Sequence, residues 1–334
     1  MKKYIVISND KINISNNKFY SNFNDTINII SAIQKKFKIY LYSRSSESKN
    51  NFYFKIKNKI DRINLFSLFK IKKVKIFMIS ITVRNFFFLL ISCFVLKDIN
   101  GYVFLRSNGH KEYQAKIGKI GFFVYNVMFS YVVKKLNVIS VSKNITKKIK
   151  SKYLFPSELD SDWLKNRKKA NIKIPLLLYF GRFKKEKGIY SLIEIANSLD
   201  SKFKLTMAGD SKNISSNNHS VNFLSEISSK KKIIDLYDRH NIFVLPSYTE
   251  GSPKVILESL ARFRPVIVFR DIKHVKSNFY GIYVCDRNVK SFKNIIKYIL
   301  KNYKKIQLNM KKNDLNTKKV FQNNLIKILN EQHN

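Results

Sequence analysis

Between Leu176 and Phe269 the chain repeats one pattern: a short, largely apolar run, unbroken in Leu176–Phe180, Ile242–Pro246 and Val266–Phe269, then a polar turn and an amphipathic segment. The runs are Leu176–Phe180, Phe203–Ala208, Val221–Leu224, Ile242–Pro246 and Val266–Phe269. A strand apolar at every position must be covered on both faces, which is the condition of a parallel sheet flanked by helices. The intervening segments supply that cover. In Gly188–Leu199, residues Ile189, Leu192, Ile193, Ala196 and Leu199 share one helical face, and Lys230–Asp238 and Pro253–Arg262 read as further helices. The fold class is therefore α/β, with a doubly wound sheet whose ligands gather beyond the C-terminal ends of its strands.

The first half repeats the alternation less regularly. Strands are expected at Tyr4–Ile7, Phe37–Tyr42, Gly101–Leu105 and Val138–Val141, and helices at Asp25–Lys36 and Ile117–Leu136. The polar stretch Tyr153–Pro175 breaks the pattern and contains Pro156 near its start. Two Rossmann-like, doubly wound domains follow from this: residues 1–155, a connection at 156–175, a second domain at 176–305, and a helical segment at 306–334 free to pack back on the first domain.

Lys and Arg total 64 against 22 Asp and Glu, a formal charge of +42. That excess favours polyanions or a membrane surface as company, although a general abundance of Lys, Asn and Ile is also what a coding bias produces. No finger spacing or basic-aromatic motif supports a nucleic-acid partner, and the lysines are spread evenly. Ile76–Leu96 approaches the length of a membrane span, but Arg84 and Asn85 interrupt it; a strand at Lys75–Thr82 and a buried or surface-docked helix from Arg84 to Lys97 fit better. Cys93 and Cys285 are the only cysteines, so no disulfide framework or Cys-x-x-Cys motif exists, and a reduced cytoplasmic setting is the default.

Two loops carry the chemistry. Gly181–Gly188 follows an apolar run and offers Arg182 and Lys187 beside a helix start, a combination suited to a diphosphate. Ser247–Glu258 follows the run Ile242–Pro246. In it Ser252 and Pro253 read as a helix cap and first turn, with the backbone N–H groups of Lys254 and Val255 pointing out of that terminus. Glu250 and Glu258 flank the same anion site. Two carboxylates make sense there only as acceptors for hydroxyl groups, which a nucleotide sugar has on both its ribose and its hexose. The pair Asp160 and Asp162 has the Asp-x-Asp form of a cation site but lies in the connection, so no metal is expected.

Leu176–Arg182, Glu186-Lys187-Gly188, Ala208-Gly209-Asp210 and Phe243–Ser247 followed by Glu250-Gly251-Ser252-Pro253 and Glu258 resemble glycosyltransferase family 4, the large group 1 family of retaining, GT-B-fold sugar transferases. The resemblance is strong over about Leu176–Val268. It implies two Rossmann-like domains facing across a cleft. It implies that Arg182 and Lys187 hold the donor diphosphate, that Glu250 contacts the transferred sugar and that Glu258 binds the ribose hydroxyls. Gly251, Ser252, Lys254 and Val255 would give backbone contacts, and Gly209 and Asp210 would form the turn near the nucleotide. It further implies a UDP- or GDP-sugar donor, no cofactor, and a glycan or lipid-linked acceptor. The place of action would be the inner face of a bacterial cytoplasmic membrane, where surface polysaccharide such as O-antigen, capsule or lipopolysaccharide is built.

The first half departs from the family. Asn108 stands where a histidine is common, with His110 two residues on; both are candidates for the polar group beside the reacting centre. Ser8–Lys11 replaces a glycine-rich loop, and the usual glycines near Phe263 and after Phe269 are missing. The rival reading is a basic nucleic-acid- or membrane-surface-binding protein on an inactive fold.

Overall fold

The structure, a computed structural model, describes residues 2–15, 18–21, 23–45, 52–55, 60–96, 98–142, 145–146, 149–199, 202–210, 214–227, 229–251, 253–276 and 279–331. The chain divides into two compact units, Met1–Pro156 with Lys318–Asn334, and Ser157–Thr317.

The first unit contains β1 (Lys3–Ser15), β2 (Lys18–Ser21), α1 (Asn24–Gln34), β3 (Lys38–Ser45), β4 (Phe52–Lys55), β5 (Ile60–Arg62), β6 (Lys75–Ile79), α2 (Val83–Val95), β7 (Gly101–Leu105), α3 (Gly109–Lys135), β8 (Asn137–Ser140) and β9 (Ser151–Tyr153). Its sheet runs β4-β2-β1-β6-β7-β8-β9, with β3 also on β1 and β5 on β3. The pairing is parallel except for the β1–β2–β4 corner.

The first strand is much longer than Tyr4–Ile7. After an irregularity between Ile7 and Lys11 it continues through Ile12 and Ile14, whose alternation with polar neighbours suits a half-covered strand, and pairs antiparallel with β2. Ser8–Lys11 is thus strand rather than a phosphate-type turn. There Asp10 is buried, accepts from the Thr26 hydroxyl and pairs with Arg106 at 3.3 Å.

The long helix of the sequence reading is the second arm of a fold-back. Ile117 and Gly118 (φ 65°) leave helical geometry, and Gly121 then lies so close to Tyr113 that a Cβ would stand 2.2 Å from its carbonyl oxygen.

The second unit holds α4 (Ser161–Leu164), β10 (Leu176–Phe180), α5 (Ile189–Asn197), β11 (Lys204–Ala208), β12 (Val221–Leu224), α6 (Lys230–Arg239), β13 (Ile242–Leu245), α7 (Lys254–Ala261), β14 (Val266–Phe269), β15 (Ile282–Cys285), α8 (Val289–Lys301) and α9 (Tyr303–Met310). Its sheet is parallel in the order β12-β11-β10-β13-β14-β15. The central strands β13 and β14 are buried from end to end, as their unbroken apolar runs require, whereas β12 at the sheet edge leaves Asn222 and Leu224 exposed.

Residues 157–175 belong to this unit rather than to a free connection, because a buried cluster fastens them. Arg262 and Arg264 are almost wholly buried. Arg262 grips Asp238 in bidentate fashion (2.9 and 2.6 Å) and donates to the carbonyls of Trp163, Lys165 and Asn166. Arg264 donates to Lys168 O and Asp238 O.

The chain then returns to the first unit. α10 (Lys318–Asn330) buries Phe321, Leu325 and Leu329 in that unit's core, and the Tyr4 and Tyr102 hydroxyls donate to the carbonyls of Leu329 (3.1 Å) and Ile328 (2.6 Å). The returning segment begins at 318 rather than 306, since α9 stays with the second unit: the Tyr303 hydroxyl donates to Asn241 O at 2.6 Å.

Candidate functional site

From β10 the chain proceeds to β11 on one side, and from β13 to β14 on the other, so strand order reverses between β10 and β13. Loops leaving such a pair diverge and open a crevice at the strand ends. Glycine draws the loops close. Gly188 sits at φ 68°, and a Cβ there would stand 2.0 Å from Pro246 O. A Cβ on Gly209, at the end of β11, would stand 2.1 Å from Gly181 O.

The crevice brings opposite charges into contact. Lys187 Nζ lies 2.6 Å from Glu250 Oε1, and the Ser247 hydroxyl donates to the same oxygen at 2.6 Å. Both charged side chains are mostly buried, so each holds the other where water is scarce. Beneath them the Tyr179 hydroxyl donates to Arg182 O at 2.7 Å. Burial pushes the Tyr179 phenol far above its ordinary range, Glu250 and Glu186 push it further, and Arg182 opposes them. Tyr179 therefore stays a donor at every working pH, and these charges share its neighbourhood. The Arg182 side chain itself is exposed.

Glu258 projects from the second turn of α7 and receives a hydrogen bond from the Tyr237 hydroxyl at 3.0 Å. Burial lifts its carboxyl from 4.5 to about 7, against the opposing effects of the Tyr237 bond and the nearby Lys254 ammonium. Lys254 spends its side chain on Glu158, 2.8 Å away, which leaves its backbone for a ligand. The helix begins one residue later than the sequence suggests: Pro253 occupies the cap position in extended geometry and Lys254 is the first helical residue. Ser252 lies outside the described residues. Gly251 is half-buried on the loop, Val255 is in the first turn of α7 with its carbonyl 3.3 Å from the Tyr237 hydroxyl, and Asp210 is exposed just past Gly209.

The other candidates are placed elsewhere. Asn108 caps α3 by accepting from Lys111 N at 3.2 Å, and His110 sits inside the α3 fold-back, 3.3 Å from Asn126 Oδ1 and against Phe122, Tyr125 and Phe129. Both belong to the first unit, whereas the Lys187–Glu250 group belongs to the second. The Asp160 and Asp162 carboxylates both pair with Lys230. Among the described residues no group of three or more His, Cys, Asp and Glu side chains could hold a metal ion.

Sequence reasoning missed Arg287. It donates to Pro246 O (2.9 Å), Ser191 Oγ (2.7 Å) and Asp271 (2.6 Å), and stacks its guanidinium under Tyr248 at 4.0 Å. It thereby ties the start of α5 to the loop that carries Glu250. His274 adds a second tie, with Nε2 2.9 Å from Glu250 O. Arg287 follows β15, which is not among the expected strands, and its loop has no glycine to single it out. Arg287→Lys keeps a charge for Asp271 but loses the fork that bridges Pro246 and Ser191. The expected result is a rise of about tenfold in the donor KM, equivalent to ~1.4 kcal/mol. A purely structural role would lower the melting temperature and leave KM of the folded protein unchanged.

Residues 161–317 match the model of the family described as glycosyl transferases group 1. The putative teichuronic acid biosynthesis glycosyltransferase TuaC of Bacillus subtilis is 36% identical over 104 residues, 31% of this chain and 26% of that protein. The N,N'-diacetylbacillosaminyl-diphospho-undecaprenol alpha-1,3-N-acetylgalactosaminyltransferase of Campylobacter jejuni is 27% identical over 206 residues, 58% of this chain. The chain spans 26% and 53% of the lengths of these two relatives. Among solved structures, Anabaena Alr3699/HepE in complex with UDP and glucose aligns with a TM-score of 0.67 at 11% identity, over 99% of this chain and 100% of that one. WaaG, a glycosyltransferase involved in lipopolysaccharide biosynthesis, aligns with a TM-score of 0.62 at 12% identity, over 98% and 100%. These likenesses show the two-domain GT-B fold. Residues 161–317, which carry the paired loops and the helix with Glu258, are therefore the part of the chain that matches the group 1 glycosyl transferases.

Proposed function

We propose that this protein is a retaining glycosyltransferase of family 4 that moves a sugar from a nucleoside diphosphate, UDP or GDP, to a glycan or lipid-linked acceptor in bacterial surface-polysaccharide synthesis. The observation that carries the reading is the Lys187–Glu250 pair at the strand switch point, followed by α7 with Glu258. In the proposed reaction the bond from the sugar's anomeric carbon to the phosphate oxygen breaks and a bond to the acceptor oxygen forms on the same face. The acceptor proton passes to the departing phosphate. Negative charge grows on that phosphate, where Arg182, Lys187 and the α7 N-terminus would stabilise it. Glu250, held by Ser247, would accept from sugar hydroxyls, and Glu258 from the ribose.

The names of the relatives support the pathway: one is a teichuronic acid enzyme, and the other is named for an undecaprenol-linked acceptor. A lipid-linked acceptor places the protein at the cytoplasmic side of a membrane. The charge serves that setting rather than a nucleic acid.

Ribose hydroxyls donate more strongly to an ionised Glu258, whose carboxyl sits at about 7, than to the protonated acid, which keeps less acceptor capacity. UDP should therefore raise the melting temperature at pH 8 and do so progressively less as pH falls through 7. Glu258→Gln should abolish that dependence. In the empty protein the sign is opposite. The folded state holds this proton between the unfolded value of 4.5 and about 7, so stability from it is full below 4.5 and lost as pH rises through 7. Glu258→Gln should accordingly stabilise the empty protein at pH 8 by at most about 3 kcal/mol. A pH-independent UDP shift in the wild type would overturn this role for Glu258.

A further inference from the structure

Three elements of the first unit, α2 and the two that pack against it, turn apolar side chains to solvent. In α2, Val83, Phe87, Ile91 and Phe94 recur at helical spacing along one face, and all are exposed, Phe94 to 91%. The 3-10 turn Phe66–Lys70, packed on α2, exposes Phe66 (80%) and Phe69 (70%). The α3 fold-back, joined to α2 through Phe86 and Tyr131, exposes Ile117 at its tip and then Ile120 (72%), Phe123 (67%) and Val127 along its second arm. The opposite faces of these helices make an ordinary core: Phe88 and Leu89 of α2 and Tyr125, Met128 and Val132 of α3 are buried together. The outward stripes are thus additional to what the fold needs. Isolated exposed apolar residues are commonplace, whereas such a run across adjoining elements marks a contact surface.

Charge identifies what would cover it. Residues 66–135 contain twelve Lys and Arg against Asp98 and Glu112 alone. Lys70, Lys72 and Lys73 stand exposed beside the Phe66–Lys70 turn, and Lys116 and Lys119 bracket the tip at Ile117 and Gly118. Aromatic and aliphatic side chains flanked by lysines match a lipid interface, where rings enter the boundary of the acyl chains and ammonium groups stay among phosphates. No helix among the described residues is long and apolar enough to cross a membrane.

We propose that the faces of α2, the Phe66–Lys70 turn and the α3 tip form a docking surface for an anionic lipid bilayer, occupied by partial insertion of Phe66, Phe94, Ile120 and Phe123. This rests on the exposed faces and their charge, not on the donor site, so either can fail alone.

The test is co-sedimentation of the full chain with vesicles of a zwitterionic phospholipid, with and without an added anionic phospholipid. The protein should pellet with the mixed vesicles at low salt and be released in part by high salt. Phe94→Ser combined with Phe123→Ser should weaken binding by roughly tenfold or more, as burial of apolar area implies. The double Lys116→Glu and Lys119→Glu variant should weaken it as well and remove most of the salt dependence. All these side chains are exposed, so melting temperature and the UDP-induced shift should match the wild type; a variant with a lowered melting temperature is replaced by Phe66→Ser. The proposal is overturned if the wild type stays in the supernatant, or if charge reversal releases it while the Phe variants bind normally, which would mean adsorption without insertion. It is equally overturned if the chain is a dimer that Phe94→Ser splits and vesicles do not bind, since a second copy would then cover the face.

Discussion

Lys187→Ala is expected to lower the rate of sugar transfer by about a hundredfold or more, the usual cost of deleting one fixed donor that stabilises a departing anion. Two effects combine. The variant loses the cation beside the phosphate, and it strands Glu250, whose Oε1 now takes Lys187 Nζ and the Ser247 hydroxyl at 2.6 Å each. A mostly buried carboxylate left with one neutral donor is costly, and it will draw in water or turn away from the sugar. Single-turnover kinetics with a nucleotide sugar separates these effects. Loss of leaving-group stabilisation lowers the chemical step, whereas a displaced Glu250 raises the donor Kd. Lys187→Arg should restore part of the rate, since the charge survives with altered reach. A Lys187→Ala variant with wild-type turnover would remove Lys187 from the mechanism.

Arg262→Ala should destabilise the second unit by about 3–5 kcal/mol, the range for breaking a buried ion pair from one side. The guanidinium is almost completely buried, and all its donors are engaged: Asp238 takes two hydrogen bonds, and the carbonyls of Trp163, Lys165 and Asn166 take the rest. Its removal leaves Asp238 with Arg264 as its remaining cation, 3.7 Å away, and orphans the three carbonyls. Denaturant melts of residues 157–317 within the full chain should show the loss, with the segment around Trp163 becoming a protease target. Asp238→Asn should cost less, because it keeps an acceptor for Arg262. Equal stability of wild type and Arg262→Ala would show that the clip does not hold the segment.

The strands Leu176–Phe180 and Val266–Phe269 were legible to the residue because a parallel strand covered on both faces leaves an unbroken apolar run. The Lys187–Glu250 pair was legible because each residue stands on a loop that follows a buried strand and sits directly before a glycine, Gly188 at φ 68° and Gly251. Partners from other elements were not. Tyr237 reads as a core aromatic of α6, and Arg287 as an ordinary surface charge, until tertiary structure sets them against Glu258 and Pro246. His240, the residue that caps α6, looks in sequence like a charge at a helix end, but burial lowers its pKa, so it is a neutral ring between Leu236 O and Thr206 Oγ1. Arg262 and Arg264 were invisible because a buried cation with saturated donors looks in sequence like any solvated one. The fold-back of α3 turns on a single glycine, Gly118, within an otherwise helical stretch.

The path of α10 also sets an order of events during synthesis. Residues 157–317 are contiguous and can close their core as soon as they leave the ribosome. The first unit cannot: Phe321, Leu325 and Leu329 complete the core around α1, and the Tyr4 and Tyr102 hydroxyls bond to carbonyls near the chain's far end. The unit whose strands are translated first therefore matures after the second, holding an unfinished apolar face until α10 emerges, and a nascent-chain chaperone would have most to do there.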